Sequence, residues 1–254
     1  MSTGVVYLYD GTFDGLMTAV FEAFAHRPQP DGIKEATTYQ ARFGERAVYI
    51  EPDESKAARV VRGVEDKMGQ EAYEKVWLTF LSEQYDRGNA IYNYVRLGMR
   101  VGRDVHRLLA DDSVMLVEKY SRAVSNERLR WMQFLRFSKR RGGTYYAPIT
   151  PLYDVLALIM PHFADRMSVQ PFIIHDQKRR LFGIYDRRTW YLVTAEEMAL
   201  PPAAAEQYDY EELWKRFYDT VAIEERFNPR LRMQHCPKRF WGEMTEMRTV
   251  VPRE

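Results

Sequence analysis

The sequence predicts an α+β protein in which an amino-terminal β-α-β unit and a helical middle pack on a carboxy-terminal antiparallel sheet. Three observations carry this reading. A β-branched and aromatic run at Val5–Tyr9 leads straight into an amphipathic stripe, helical periodicity then dominates from Asp53 to Arg107, and after Met132 the apolar period changes from 3.6 towards 2. The chain has 254 residues, enough for one large domain or two small ones, and the change of character sets an expected division into 1–117 and 118–254, or one integrated domain.

Val5–Tyr9 reads as a strand closed by Asp10-Gly11. Phe13, Leu16, Met17, Val20, Phe21 and Phe24 then share one helical face, and the helix ends before Pro28. A second strand is expected at Ala47–Ile50, closed by Pro52, which suggests a parallel pair. Tyr73, Val76, Trp77, Phe80 and Leu81 mark a helix, another is expected from Asn89 through Val105, and a long one runs from Asp112 to Met132 behind the capping groups Asp111-Asp112-Ser113. Phe134–Lys139 and Gly143–Ile149 read as a hairpin around Arg141-Gly142-Gly143; Phe172–His175, Arg180–Tyr185 and Trp190–Val193 read as three further strands. Leu152–Phe163 is expected to be a helix ended near Pro161, Pro201–Ala205 a linker, Leu213–Val221 a last helix, and the tail from Arg226 irregular.

Composition narrows the function classes. With 46% hydrophobic and 29% charged residues, disorder is excluded, and the longest apolar run, Val155–Met160, is far too short to span a bilayer. The opening lacks a basic and apolar leader, so a cytoplasmic address without a membrane partner is expected. A single cysteine, Cys236, leaves no internal disulfide and no thiolate-rich metal site, and neither metal nor cofactor is expected. Net charge is +1 overall, yet residues 1–117 carry −4 and residues 118–254 carry +5. The excess concentrates in 118–141 and 226–239, the footprint of a polyanion-binding face.

Each motif admits a structural and a chemical reading. Tyr9-Asp10-Gly11-Thr12-Phe13-Asp14-Gly15 places two glycines and two carboxylates where strand becomes helix; the turn and a cap from Asp10 or Thr12 account for it, or Asp10 and Asp14 form a working carboxylate pair. Arg128–Arg141 interleaves cations with Trp131, Phe134 and Phe137, which suits either single-stranded nucleic acid or a core stripe with a solvated basic side. His175 is a structural histidine or a general base oriented by a nearby carboxylate. The basic turns Lys178-Arg179-Arg180 and Arg187-Arg188 would make one cationic edge, and Arg226–Trp241, free of acids, would lie along phosphates or pack onto the body.

The Tyr9–Gly15 motif, the His175-Asp176 turn and Pro237-Lys238-Arg239-Phe240-Trp241 together resemble a bacterial family of unknown biochemical function described as DNA metabolism or repair proteins. That resemblance covers the whole chain. It implies a radical-SAM protein as partner, encoded beside such proteins, and a uracil-DNA glycosylase, to which some members are fused. Only a short stretch follows Trp241 here, so base excision is expected of a separate protein, and Cys236 stands where methionine is expected in relatives. The leading expectation is a DNA-binding accessory protein. Arg136, Lys139, Arg140, Arg141, Lys178, Arg179, Arg180, Arg187, Arg188, Lys238 and Arg239 would contact phosphates, with Trp131, Tyr145, Tyr146, Trp190 or Trp241 stacking on a base. The alternatives are a nucleic-acid-processing enzyme using Asp10, Asp14 or His175, and an interaction module that docks the radical-SAM partner.

Overall fold

The computed structural model describes residues 4–140, 143–195 and 236–244. The chain divides into two compact units, 1–125 and 126–254, and the division falls inside one long helix.

The first unit is built from β1 (Gly4–Tyr9), α1 (Phe13–Ala25), β2 (Gly32–Glu35), β3 (Glu45–Tyr49), α2 (Glu54–Met68), α3 (Gln70–Leu81), α4 (Arg87–Val101), a 3-10 helix (Gly102–Arg107) and α5 (Asp112–Phe134). β1 lies between β2 and β3, parallel to both. The predicted strand at Ala47–Ile50 is β3; β2 is an addition, a four-residue segment whose Lys34 and Glu35 hide its strand character. With β1 central, all three strands end together where Tyr9 hands over to α1, the position at which parallel sheets present their functional loops.

The apolar stripe of α1 buries Leu16, Met17 and Val20 against Ile33, Val60, Val64, Ile91 and Val95. Asp53 caps α2, its Oδ1 accepting from the Ser55 and Lys56 amides at 2.9 and 3.1 Å. Gly69, at φ +91°, separates α2 from α3 and Gly102, at φ +80°, ends α4, so the helical middle is punctuated by left-handed positions rather than prolines. α4 meets β2 so closely that a Cβ on Gly88 would lie 2.5 Å from the Ile33 carbonyl oxygen, while the Asn89 side chain accepts from the Ile33 amide at 2.7 Å.

The second unit holds the end of α5, then β4 (Ser138–Lys139), β5 (Tyr145–Ile149), α6 (Leu156–Arg166), β6 (Phe172–Asp176), β7 (Leu181–Tyr185), β8 (Trp190–Thr194) and a 3-10 helix at Lys238–Glu243. The sheet runs β4-β5-β6-β7-β8. It is antiparallel as predicted except at β5 and β6, which are parallel because α6 carries the chain back between them, making the sheet mixed. Phe134 closes α5 instead of opening a strand. α6 does not end near Pro161 but continues to Arg166. Burial of Leu156, Ile159, Met160 and Phe163, worth roughly 1.5–3 kcal/mol each, outweighs the roughly 3 kcal/mol a mid-helix proline costs. The sulfur of Met160 occupies the space where a side chain on Gly183 would begin. The expected linker at Pro201–Ala205, the last helix at Leu213–Val221 and the tail from Arg226 to His235 lie outside the described residues. Among the described residues no helix is long and apolar enough to cross a membrane.

Gly88→Ala sets two effects against each other: helix propensity favours alanine by about 1 kcal/mol, and the contact with Ile33 opposes it. The expected net result is a loss of about 1–3 kcal/mol in urea denaturation.

Candidate functional site

At the carboxyl end of the parallel sheet the Tyr9–Gly15 motif is occupied with its own geometry. Asp10 Oδ1 accepts from the Thr12 amide at 2.9 Å and the Thr12 hydroxyl at 2.7 Å, and Thr12 Oγ1 caps α1 by accepting from the Gly15 amide at 2.9 Å. Gly11 turns at φ +92°, and a Cβ on Gly15 would stand 2.0 Å from Asp10 Oδ1, so both glycines are required. Asp14 is exposed in the first turn of α1. Below this turn lies a closed network that sequence reasoning missed. Arg87, 7% exposed, donates to the Tyr9 hydroxyl (3.1 Å), the Phe80 carbonyl (2.7 Å) and Glu35 (2.7 Å), and stacks over the Phe80 ring. Burial raises the Tyr9 hydroxyl pKa, against the lowering effect of Arg87. The available signal was a charged residue on the same helical face as Ala90, Ile91 and Tyr94.

The second unit separates the basic segments expected to act together. Consecutive turns of an antiparallel meander lie at opposite ends, and a five-residue strand such as β7 keeps them roughly 17 Å apart. The β6–β7 turn with Lys178, Arg179 and Arg180 is therefore at one end, and the β7–β8 turn with Arg187 and Arg188 at the other, so the single cationic edge does not form. At the first end Lys178 donates to the Leu152 carbonyl at 2.8 Å. Arg179 binds Asp176 at 2.9 Å and the same carbonyl at 3.2 Å, so both cations hold the Pro151-Leu152 segment onto the turn. Arg180 is exposed there at φ +55°.

At the opposite end lie exposed Lys139, half-buried Arg140 over the Tyr146 ring at 4.2 Å, and exposed Arg187 and Arg188. Asp186 accepts from the Arg188 and Thr189 amides at 2.8 and 2.9 Å, and these bonds hold its carboxyl below the usual range. The register aligns Lys139, Tyr145, Phe172, Tyr185 and Trp190 in one cross-strand row on one face. Its middle is buried, with Phe172 and Tyr185 rings 5.1 Å apart, while Tyr145 and Trp190 are half-buried.

Two expected stacking residues belong to the core instead. Trp131 is 1% exposed, donates to Glu127 at 3.3 Å and meets the Phe240 ring at 4.8 Å; Tyr146 is 7% exposed. The Pro237–Trp241 motif packs onto the body. Phe240 is fully buried against Trp131 and Phe134, Arg239 faces buried Glu127 at 3.6 Å, and Trp241 donates to the Cys236 carbonyl at 3.0 Å, with exposed Lys238 beside its ring. Cys236 is buried with its sulfur 3.5 Å from that of Met244, a packing role. Arg136 donates to the Gln133 and Leu135 carbonyls at the end of α5, and Arg141 lies outside the described residues. Removing the buried ring by Phe240→Ala is expected to cost about 3–5 kcal/mol, read from the shift of the denaturation midpoint.

Among the described residues no carboxylate orients His175 by a hydrogen bond. Adjacent strand residues point to opposite faces, so Asp176 turns away to the Lys178 and Arg179 amides, and His175 Nδ1 meets the Tyr146 hydroxyl at 2.8 Å. The imidazole stacks on Phe182 at 4.0 Å. Burial lowers its pKa, with Asp176 opposing. A histidine with a folded pKa below its unfolded value of about 6.5 contributes stability above that pH and loses it as pH falls. Urea midpoints of the wild type are therefore expected to drop below about pH 6.5, and His175→Gln should remove that component of the drop.

Among the described residues no group of three or more histidine, cysteine, aspartate or glutamate side chains is placed to hold a metal ion. No curated protein matches the chain. A family defined by a domain of unknown function, DUF4130, matches residues 85–246, which takes in α4, α5 and every described element of the second unit and leaves Tyr9–Gly15 outside. With more than half of its length matched in this way, the chain belongs to the DUF4130 family.

Proposed function

We propose that the chain is a DNA-binding accessory protein of a bacterial repair or modification pathway, holding single-stranded or locally opened DNA at one end of the second sheet. The supporting observation is the row from Lys139 to Trp190. Its partly exposed aromatic ends, Tyr145 and Trp190, are flanked by Lys139, Arg187 and Arg188, with Arg140 on the opposite face over the Tyr146 ring. The flanking turns are about three strand spacings, roughly 14 Å, apart, so cations can neutralise phosphates on both sides of a base resting on a ring. Stacking tolerates any base, which suits a protein that holds a strand for another to act upon. The resemblance in sequence motifs supplies the radical-SAM protein as that partner, with a uracil-DNA glycosylase as the separate excising activity.

Fluorescence anisotropy with single-stranded and duplex DNA across a salt series tests this reading. The expected slope of log K against log salt is negative and falls in magnitude by about three in a Lys139→Gln, Arg187→Gln, Arg188→Gln variant. Trp190→Ala is expected to weaken single-strand binding by about 1–3 kcal/mol. Arg180→Gln, at the other end of the sheet, should change neither quantity. Absence of binding at low salt, or a slope near zero, would overturn the reading.

A further inference from the structure

A second cationic feature lies in the first unit. The carboxyl end of α1 and the last turns of α4 border an open concavity of about 490 Å³ lined by Phe24, Arg27, Gln29, Arg96, Met99 and Arg100. Sites of this size ordinarily hold small ligands. We propose that it binds a nucleoside phosphate, either a free nucleotide or the 5′-phosphorylated end of a strand.

The arrangement follows from sequence spacing. Arg96 and Arg100 are one helical turn apart on α4, with Met99 beside them, and Arg27 reaches the same hollow from the segment after α1. None of the three guanidinium groups forms an ion pair with a described residue. The nearby acids are engaged: Glu22 binds His26 at 2.9 Å and Lys56 at 2.7 Å, and Asp111 accepts from the Ser113 amide while its field reaches Arg100. The two helix ends contribute about half a negative charge each, which leaves the hollow positive. A surface shaped only for solubility intersperses the two signs, and three like charges around one wall repel until an anion joins them. The guanidinium fork matches phosphate oxygens in pairs.

The remaining walls select for more than phosphate. Phe24 is 37% exposed and meets Tyr92 edge-on at 6.5 Å, and Arg96 lies 5.4 Å over the Tyr92 ring, so the aromatic pair and the cations share one side. Tyr92 itself is buried behind the wall, so the apolar surface on which a flat base can lie is formed by Phe24 and Met99. A second concavity of about 440 Å³ in the same unit, bounded by Glu65, Glu71, Arg103 and His106, mixes the signs and has no such preference. Every residue of the arginine-lined hollow belongs to the first unit, so the proposal stands apart from the DNA reading of the second sheet.

Calorimetric titration of the full chain with AMP, adenosine, inorganic phosphate, and short oligonucleotides bearing a 5′-phosphate or a 5′-hydroxyl tests the proposal. AMP is expected to bind about tenfold or more tightly than adenosine or phosphate. An Arg96→Gln, Arg100→Gln double variant should weaken AMP binding by about tenfold or more while its thermal midpoint stays near that of the wild type. Arg27→Gln, on an exposed segment, is the second variant and should weaken AMP binding on its own. The Lys139→Gln, Arg187→Gln, Arg188→Gln variant should bind AMP as the wild type does. Competition with AMP by the 5′-phosphorylated strand but not its 5′-hydroxyl counterpart identifies a strand end, and AMP binding without such competition identifies a free nucleotide. The proposal is overturned if neither AMP nor the phosphorylated strand binds, if phosphate binds as tightly as AMP, or if both arginine variants bind AMP unchanged.

Discussion

Because α6 carries the chain back over one face of the second sheet, β6 enters parallel to β5, and the hairpins that follow must turn at alternate ends. That constraint on strand direction decides which charged segments can cooperate. It sends Lys178 and Arg179 to the end where Asp176 and the Leu152 carbonyl bind them, and it brings the turn bearing Arg187 and Arg188 to the end that also holds Lys139 and Arg140. The same register lines up Tyr145, Phe172, Tyr185 and Trp190. A cationic surface with rings beside it thus follows from topology, although the cations are dispersed along the chain.

Elements with local signals were legible in the sequence. Val5–Tyr9, the stripe from Phe13 to Phe24 and the short strands between Phe172 and Thr194 follow from periods of 2 and 3.6 alone. Features decided by distant partners were not. β2 is short and half charged, and it becomes a strand because β1 offers an edge. α6 passes Pro161 because its apolar face is buried. Trp131 follows Val124 and Glu127 onto the inward face of α5, so the basic and aromatic residues interleaved around it divide into a buried side and an exposed one. The hydrogen bond between Tyr146 and His175 depends on the β5–β6 register, which no local pattern encodes.

The arginines of α4 show how environment separates roles within one helix. Arg87, at its start, is buried and fully engaged by Tyr9, Phe80 and Glu35, so its charge helps to hold the sheet end in place. Arg96 and Arg100, in its last turns, face a hollow without an acid in its wall. Burial with partners makes a cation structural; exposure without them leaves its charge available to a ligand. The same distinction sets Arg179 apart from Arg187 and Arg188.

Hydrogen–deuterium exchange of the full chain with and without a short single-stranded oligonucleotide tests most directly whether the two turns act as one surface. The account requires slowed exchange in both the 139–145 and the 186–190 segments, with the 177–180 turn unaffected. Protection confined to 177–180, or to only one of the other two segments, would contradict it.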